Sequence, residues 1–278
     1  MEERILEKVE ELSDEMIKTI IEMVKIDSVE AEAEPDAPFG RGVKTALDAA
    51  LLLADRMGFQ TVNVDNYMGY ASYGEEGGDG YICAVGHLDV VPTGTGWKQP
   101  PFSGYVKDGT IYSRGILDNK GPIFSCLYAL YAIKELGISL KRQVRILFGC
   151  DEETGFEDLK YYLSKEKPPV MGFTPDCKYP VVYAERGRAL IEIRPESLSD
   201  FCRLMNDYVL NAKNNGERFH IDFRDEEFGQ LEVRNFKILQ EEIPALQFAV
   251  SYPAGCTAEQ IIETIKRELP DMRAELVS

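Results

Sequence analysis

Apolar residues recur with a helical period over residues 1–26 and again over residues 43–57, and Gly58 follows the second stretch where a helix would end. Residues 81–85 form a compact apolar run without charge, which is typical of a buried strand. The other elements predicted in the first part of the chain are two strands within 59–73, a hairpin at 105–112, a strand at 143–150 and helices at 119–136 and 156–163. This alternation predicts an α/β sheet whose site lies beyond the strand ends.

The pattern changes after residue 185. The remaining elements are strands at 189–194, 231–236 and 246–251 and helices at 198–212 and 258–269. They predict a smaller α+β unit, so we expect one domain at residues 1–185 and a second at residues 186–278.

Composition and charge exclude several classes of partner. Hydrophobic residues make up 44% and charged residues 28% of the sequence, which is typical of a globular protein. No apolar run is long enough to cross a membrane, and no signal peptide is visible. The formal charge of −17, without a basic patch, would repel nucleic acid. The six cysteines form no CxxC pair and are typical of reduced thiols, so we expect a cytoplasmic protein.

His87 and Asp89 follow the strand at 81–85. Because they are two residues apart in extended chain, their side chains would lie on one face. An imidazole that binds a metal needs its other nitrogen held by an oxygen, and Asp89 could supply it. A capped strand end with a hydrogen-bonded histidine explains the same pattern.

Acidic residues occur at three further places, each with an ordinary structural explanation. Asp118 could cap the helix that follows it, Asp151–Glu153 could be a solvated loop, and Asp176 could be a turn residue.

Taken together, these loops indicate a metal site. If His87, Asp118, Glu153 and Asp176 converge, the carboxylates raise one another's pKa unless a cation neutralises them. Imidazole with carboxylates favours zinc, with manganese or cobalt as alternatives. Glu152, next to a ligand, would be the general base for water activated by the metal, which is the design of a hydrolase.

The sequence resembles the di-zinc metallopeptidases that include PepV-type dipeptidases, carnosinases, aminoacylases and succinyl-diaminopimelate desuccinylase. The stretches that carry the resemblance are GHLDVVPTGTGWKQPPF (86–102), the DG pair at 108–109, SRGILDNKGP (113–122), DEETG (151–155) and GFTPDCKYPVVYAERG (172–187). The resemblance implies an α/β fold with a three-layer, zinc-peptidase-like catalytic domain at residues 1–185 and a smaller α+β lid domain at residues 186–278.

The resemblance also implies roles for individual residues. His87 and Asp176 would bind one metal ion, Glu153 would bind the other, and Asp118 would bridge the two. Asp89 would orient His87, and Glu152 would be the general base. The peptide bond between Asp118 and Asn119 would be cis. Asn119 stands where many relatives have a second aspartate. No other cofactor is implied.

The second half departs from the resemblance. Relatives resume the catalytic domain after the lid, and the resumed segment carries a glycine-rich substrate loop and a histidine that completes one zinc shell. No such segment is found here, so we expect an incomplete catalytic domain, at most one well-formed zinc site and weak or absent activity. His220, the second of only two histidines, lies in no matching motif and is expected to be an ordinary histidine.

The expected function is metal-dependent hydrolysis of dipeptides or short peptides. Three alternatives stay open: a non-catalytic remnant that binds a metal or a partner, an N-acyl-amino-acid deacylase, and a half-enzyme completed in a homodimer or by a complementing chain. The last follows because a partial sheet would leave an open strand edge that needs to be covered.

Overall fold

A computed structural model describes residues 1–75, 77, 80–176 and 182–277. The chain divides into two compact units, Met1–Tyr179 and Pro180–Ser278. This division falls a few residues before the boundary expected between residues 185 and 186. Part of the motif at 172–187, including Cys177, lies outside the described residues.

The first unit contains a mixed five-stranded sheet with the strand order β1-β2-β6-β3-β7. Its strands are β1 (Gln60–Val64), β2 (Met68–Tyr73), β3 (Tyr81–His87), β6 (Gln143–Gly149) and β7 (Met171–Phe173), and a separate hairpin is formed by β4 (Tyr105–Lys107) and β5 (Thr110–Tyr112). β1, β2 and β6 pair antiparallel, whereas β3 pairs parallel with both β6 and β7. The three parallel strands therefore end at the same edge of the sheet, which is where α/β proteins place their sites.

Helices cover both faces of this sheet. The helices are α1 (Glu2–Val24), α2 (Arg41–Arg56), α3 (Lys120–Glu135) and α4 (Glu157–Lys165). The first three pack on one face, where Ile146 and Phe148 of β6 are buried among their apolar residues. Leu147 points to the opposite face and packs with Tyr162 of α4. This alternation produces the three-layer α/β arrangement expected from the sequence.

An arginine is buried within the layer between the sheet and α4. The guanidinium carbon of Arg145 lies 4.0 Å from the ring centre of Tyr81 and 4.3 Å from that of Tyr70. One of its nitrogens donates to the Tyr162 hydroxyl at 3.0 Å and to Glu166 at 2.9 Å. Cation–π contacts and charge-assisted hydrogen bonds thus compensate for the cost of burying this charge.

The second unit is an antiparallel four-stranded sheet, β11-β12-β8-β13, with helices on one face. Its elements are β8 (Gly187–Pro195), α5 (Leu198–Leu204), the short strands β9 (Arg224–Asp225) and β10 (Gly229–Gln230), β11 (Glu232–Leu239), β12 (Ala245–Tyr252), α6 (Ala258–Glu268) and β13 (Met272–Leu276). Leu246, Phe248 and Val250 of β12 are fully buried under the helices. This is the α+β unit that the pattern predicts.

The sequence pattern missed parts of the secondary structure. The helix expected over 198–212 is α-helical only to Leu204 and continues as a π-helix over Met205–Leu210, where Asn211 donates to the carbonyl of Asn206. The strands β7 and β13 were not predicted. β7 has only three residues, all exposed, and β13 alternates too briefly to stand out from the charged residues around it.

No helix in the described part of the chain is long and apolar enough to span a membrane. Cys83, Cys126, Cys150, Cys202 and Cys256 are free thiols, as expected from their scattered positions.

The Tyr162 hydroxyl offers a test of the buried polar layer. Tyr162→Phe removes one hydrogen-bond partner of Arg145 and one of the Tyr81 hydroxyl, which lies 2.9 Å from the Tyr162 hydroxyl. We expect a loss of about 1–3 kcal/mol in the free energy of unfolding. Urea unfolding followed by the fluorescence of Trp97, the sole tryptophan and a residue of the first unit, measures it.

Tyr161→Phe is the matched control, because its hydroxyl bonds only to exposed Asp65 among the residues described. We expect a loss below about 0.5 kcal/mol for this variant. Equal losses for the two variants would contradict a stabilising role of the buried network.

Candidate metal centre

The candidate residues lie at the shared edge where β3, β6 and β7 end. β3 ends at His87, which is in register with Gly149 at the end of β6. Glu152 and Glu153 follow β6, and Asp176 follows β7 after a short loop. Parallel pairing thus brings together side chains that are far apart in the sequence.

His87 is at the centre of the cluster. Its side chain is 2% exposed, and its Nε2 atom lies 2.9 Å from Asp118 Oδ1, 3.3 Å from Asp176 Oδ2 and 4.0 Å from Glu152 Oε2. Glu153 joins His87 and Asp118 in a second group whose ligand atoms lie within 4.8 Å of one another. All five residues predicted as ligands or base therefore have an oxygen or nitrogen atom in one small region.

Asp89 acts on two neighbours at once. The His87 Nδ1 atom lies 2.9 Å from the main-chain oxygen of Asp89 and 3.3 Å from its carboxylate. The other carboxylate oxygen accepts a hydrogen bond from the backbone N–H of Glu153 at 3.0 Å. Asp89 thus joins the end of β3 to the loop that follows β6, a contact that the sequence pattern did not indicate.

In the acidic run after β6, Asp151 stabilises the loop, whereas Glu152 and Glu153 belong to the cluster around His87. Asp151 is buried and accepts from the backbone N–H of Glu157, at the start of α4. Asp158 of α4 is also buried, and its Oδ2 accepts from the backbone N–H groups of Cys150 at 2.7 Å and Asp151 at 3.2 Å. These two carboxylates shape the loop, which leaves Glu152 and Glu153 directed at His87.

The segment before α3 positions Asp118. The bond between Asp118 and Asn119 is cis, as the resemblance implies. The buried Asn119 side chain accepts from the His87 backbone N–H at 3.3 Å and donates to the Pro175 carbonyl at 3.4 Å. Gly86 permits this approach, because a Cβ there would lie 2.3 Å from Asn119 Oδ1. An amide suits this place because it can both accept and donate.

Charge is unevenly distributed in the cluster. Burial by itself lowers the pKa of His87, but hydrogen bonds with Asp176 and Asp89 outweigh it and raise that pKa to about 11. Burial raises the pKa of Glu152 and of Glu153, and neighbouring carboxylates add to both shifts. Burial also opposes ionisation of Asp89, yet His87 and the N–H groups of Glu153 and Glu152 hold its pKa below the usual value. One imidazole thus faces more negative charge than it can neutralise.

The donors suit a divalent metal ion in chemistry and in spacing. Two ligand atoms that bind the same ion, each about 2.0–2.2 Å from it, can be at most ~4.4 Å apart. The contacts of His87 Nε2 with Asp118, Asp176 and Glu152 all lie within this limit. One imidazole with several carboxylates fits zinc or manganese.

Sequence reasoning missed two residues that support the cluster, Asn119 as a double partner and Asp158, and it also missed the buried charge of Lys120, the neighbour of Asn119 in the chain. Lys120 is fully buried and donates to the Ile26 carbonyl at 2.8 Å, and burial lowers its pKa to about 8. In the sequence, a lysine or an aspartate at the start of a helix is usually a solvated residue. Only the structure shows that Lys120 and Asp158 are buried and hydrogen-bonded.

Comparisons with known proteins identify the family and the fold that the chain resembles. The sequence model of "Peptidase family M20/M25/M40" matches residues 83–272, more than half of the chain. The chain is similar to "Putative dipeptidase YtjP" of Bacillus subtilis (strain 168), with 40% identity over 176 residues that make up 63% of this chain and 38% of that protein. The chain therefore spans less than half the length of this relative.

Two solved structures have a similar fold. Human carnosine dipeptidase 1 superposes with a TM-score of 0.67 at 17% identity, covering 99% of this chain and 79% of that chain. The Bacillus subtilis YXEP protein, described as a dinuclear metal binding peptidase from the M20 family, gives a TM-score of 0.54 at 16% identity, covering 95% and 73%. At these identities the likeness establishes the fold alone.

Asp158→Ala tests how the loop after β6 is held. The substitution leaves the N–H groups of Cys150 and Asp151 without their shared acceptor, so we expect a loss of about 1–3 kcal/mol in stability. We also expect faster amide hydrogen exchange across residues 149–158, measured by mass spectrometry on peptides of that segment. Glu157→Ala, which removes the adjacent exposed carboxylate, is the control and should leave exchange at Cys150 unchanged. Unchanged exchange in the Asp158 variant would refute this account.

Proposed function

Because the chain belongs to the peptidase family M20/M25/M40, we propose that it is a metal-dependent hydrolase of dipeptides. The observation that carries this proposal is the position of His87 Nε2 within 2.9–4.0 Å of carboxylate oxygens of Asp118, Asp176 and Glu152 at the ends of parallel strands. Under this proposal, residues 1–185 are the catalytic segment and residues 186–278 are a lid-type unit.

In the proposed site each residue has one role. His87 and Asp176 would hold one metal ion, Glu153 would hold a second, and Asp118 would be a ligand shared by both. Zinc fits this donor set, with manganese or cobalt as alternatives. Asp89 is a positioning residue, because its main-chain oxygen lies against His87 Nδ1 while its carboxylate holds the backbone of Glu153.

When bound, a divalent ion lowers the pKa of water and polarises the carbonyl of the scissile amide. Glu152 accepts the proton that water loses on attack and donates it to the leaving amine, which is the work of a general base that becomes a general acid. Its carboxylate is suited to this because it is partly exposed, with Oε2 at 4.0 Å from His87 Nε2. Nδ1 of His87 is engaged by Asp89, so Nε2 is the nitrogen left for the ion.

The name of the Bacillus subtilis relative, together with the carnosine dipeptidase fold, favours dipeptides as the substrate class. N-acyl amino acids present the same amide bond and are the nearest alternative. A short, doubly charged substrate has an amine and a carboxylate close to the scissile bond, whereas an acyl amino acid has only the carboxylate.

The two histidines make a matched pair for testing metal binding. We expect His87→Ala to weaken binding of zinc or manganese by at least about 100-fold, since even the outer partners of metal ligands contribute 10–100-fold. His220→Ala should bind as the unchanged chain does, because His220 lies in the second unit with Glu268 as its charged neighbour. Calorimetric titration of the chelator-treated chain measures both affinity and stoichiometry.

Equal binding by the two histidine variants would contradict the proposed site. A stoichiometry of one ion per chain would support the site at His87, Asp118 and Asp176 alone, and two ions would support Glu153 as a ligand of a second ion.

Glu152→Gln separates catalysis from metal binding. We expect hydrolysis to fall by about 100-fold or more while metal affinity stays within a few-fold, because the variant keeps the size of the side chain and loses the base. A panel of dipeptides and N-acyl amino acids, assayed with added zinc or manganese, gives the rates, and Glu157→Gln is the control. Because weak or absent activity is expected from the sequence, the panel is read at high enzyme concentration. A chain that binds metal and still cleaves no member of the panel would contradict hydrolysis by this chain and favour the non-catalytic alternative.

A further inference from the structure

The second unit has a sheet face that its helices do not cover, and arginines are concentrated there. Strand register places Glu232, Ser251 and Arg188 in one row across β11, β12 and β8. The next row contains Arg234, Ala249 and Leu190. Because side chains alternate along a strand, both rows point away from the buried residues Val233, Phe248 and Val250.

Small residues on the central strand make this face concave. Ala249 and Ser251 of β12 lie between the long side chains of Arg188 on β8 and Arg234 on β11. After Arg234 the register shifts, and Asn235 adopts a left-handed backbone with φ of 58°. The result is a depression of about 290 Å³ whose lining includes Arg186, Arg188, Arg234, Asn235 and Ser251.

Positive charge exceeds negative charge in this depression. Arg186 and Arg234 contact the same carboxylate, Glu232, at 3.2 and 3.3 Å. Arg188 has no ion pair with any residue that the structure describes. The next carboxylate on this face, Glu192, is engaged by Arg194 farther along β8. Three guanidinium groups with one carboxylate leave a local excess of two positive charges in a chain whose formal charge is −17.

Arg186 is held in place before any ligand arrives. One of its terminal nitrogens donates to the backbone carbonyls of Gln230 and Ser251, the latter at 2.8 Å. Its Nε atom is buried and has no hydrogen-bond partner among the described residues. Because this N–H is enclosed by the protein, Arg186 would act on a ligand through its charge and its terminal nitrogens. A guanidinium fixed by its neighbours also loses little entropy when an oxyanion binds.

We infer that this depression, defined by Arg186, Arg188, Arg234 and Ser251, is a binding site for a phosphate group. The forked donors of arginine match the geometry of phosphate oxygens. The local excess of two charges matches a phosphate dianion better than the single charge of a carboxylate. The Ser251 hydroxyl and the Asn235 amide can satisfy the remaining phosphate oxygens. This site lies in the second unit and is independent of the proposed hydrolase.

The test is a titration of the whole chain with inorganic phosphate, followed by phosphorus NMR at constant ionic strength and with a chelator present. We expect saturable binding that weakens by about tenfold or more in Arg188→Gln and in Arg234→Gln. Arg273→Gln is the matched control, because it removes the same charge from the same sheet. Arg273 lies opposite Arg194 in the register of β13 and β8, and Arg194 is about 20 Å along β8 from Arg188. The Arg273→Gln variant should therefore bind phosphate within about twofold of the unchanged chain.

Two further arms identify the ligand and exclude a nonspecific charge effect. Glycerol phosphate that competes better than inorganic phosphate would indicate a small phosphate monoester, and weaker competition would indicate free phosphate. Ser251→Ala keeps the net charge and should still weaken binding several-fold. Three results would overturn the inference: no saturable binding, equal weakening in all three arginine variants, or acetate competing as well as phosphate. Circular dichroism of each variant shows whether it is folded, and either Arg188→Gln or Arg234→Gln alone is sufficient for the test.

Discussion

The parallel pairing of β3 with β6 and β7 is the constraint on which the candidate site depends. His87 is in register with Gly149, and Ala84 is in register with Phe173, so the loops after all three strands leave the sheet at one edge. Antiparallel pairing at either position would send one of these loops to the opposite edge. The helices on both faces bury β3 and β6, and the core therefore fixes where the polar cluster lies.

Neutral groups and buried carboxylates hold the charged ones in position. Asn119, Asp89 and Asp158 each accept from a backbone N–H of a neighbouring loop, and Asn119 also donates to a carbonyl. These contacts leave Glu152 and Glu153 close to other carboxylates, where burial and like charge raise their pKa values. Repulsion among these carboxylates destabilises the folded chain until a cation binds. Local electrostatics and family membership therefore both indicate a metal site.

Much of the fold could be predicted because its elements are locally encoded. The period of apolar residues marks α1, α2 and α3, and the uncharged run at 81–85 marks β3. Prediction failed for elements whose conformation is not decided by the local sequence. β7 is a three-residue strand that forms because the edge of β3 is free to pair with it. The π-helix at Met205–Leu210 is not visible in the pattern of apolar residues over 198–212.

The sequence by itself determined the family and the order of most helices and strands, and it proposed the residues of the candidate site, because motif spacing records which loops follow which strands. Tertiary structure decided which of the acidic residues hold the loops and which lie next to His87. Asp151 and Glu152 are adjacent acids, yet one is buried against the start of α4 and the other is near His87. The arginines of the second unit form one depression only because strand register aligns β8, β12 and β11. Distances between strands depend on pairing and packing, and no local pattern encodes them.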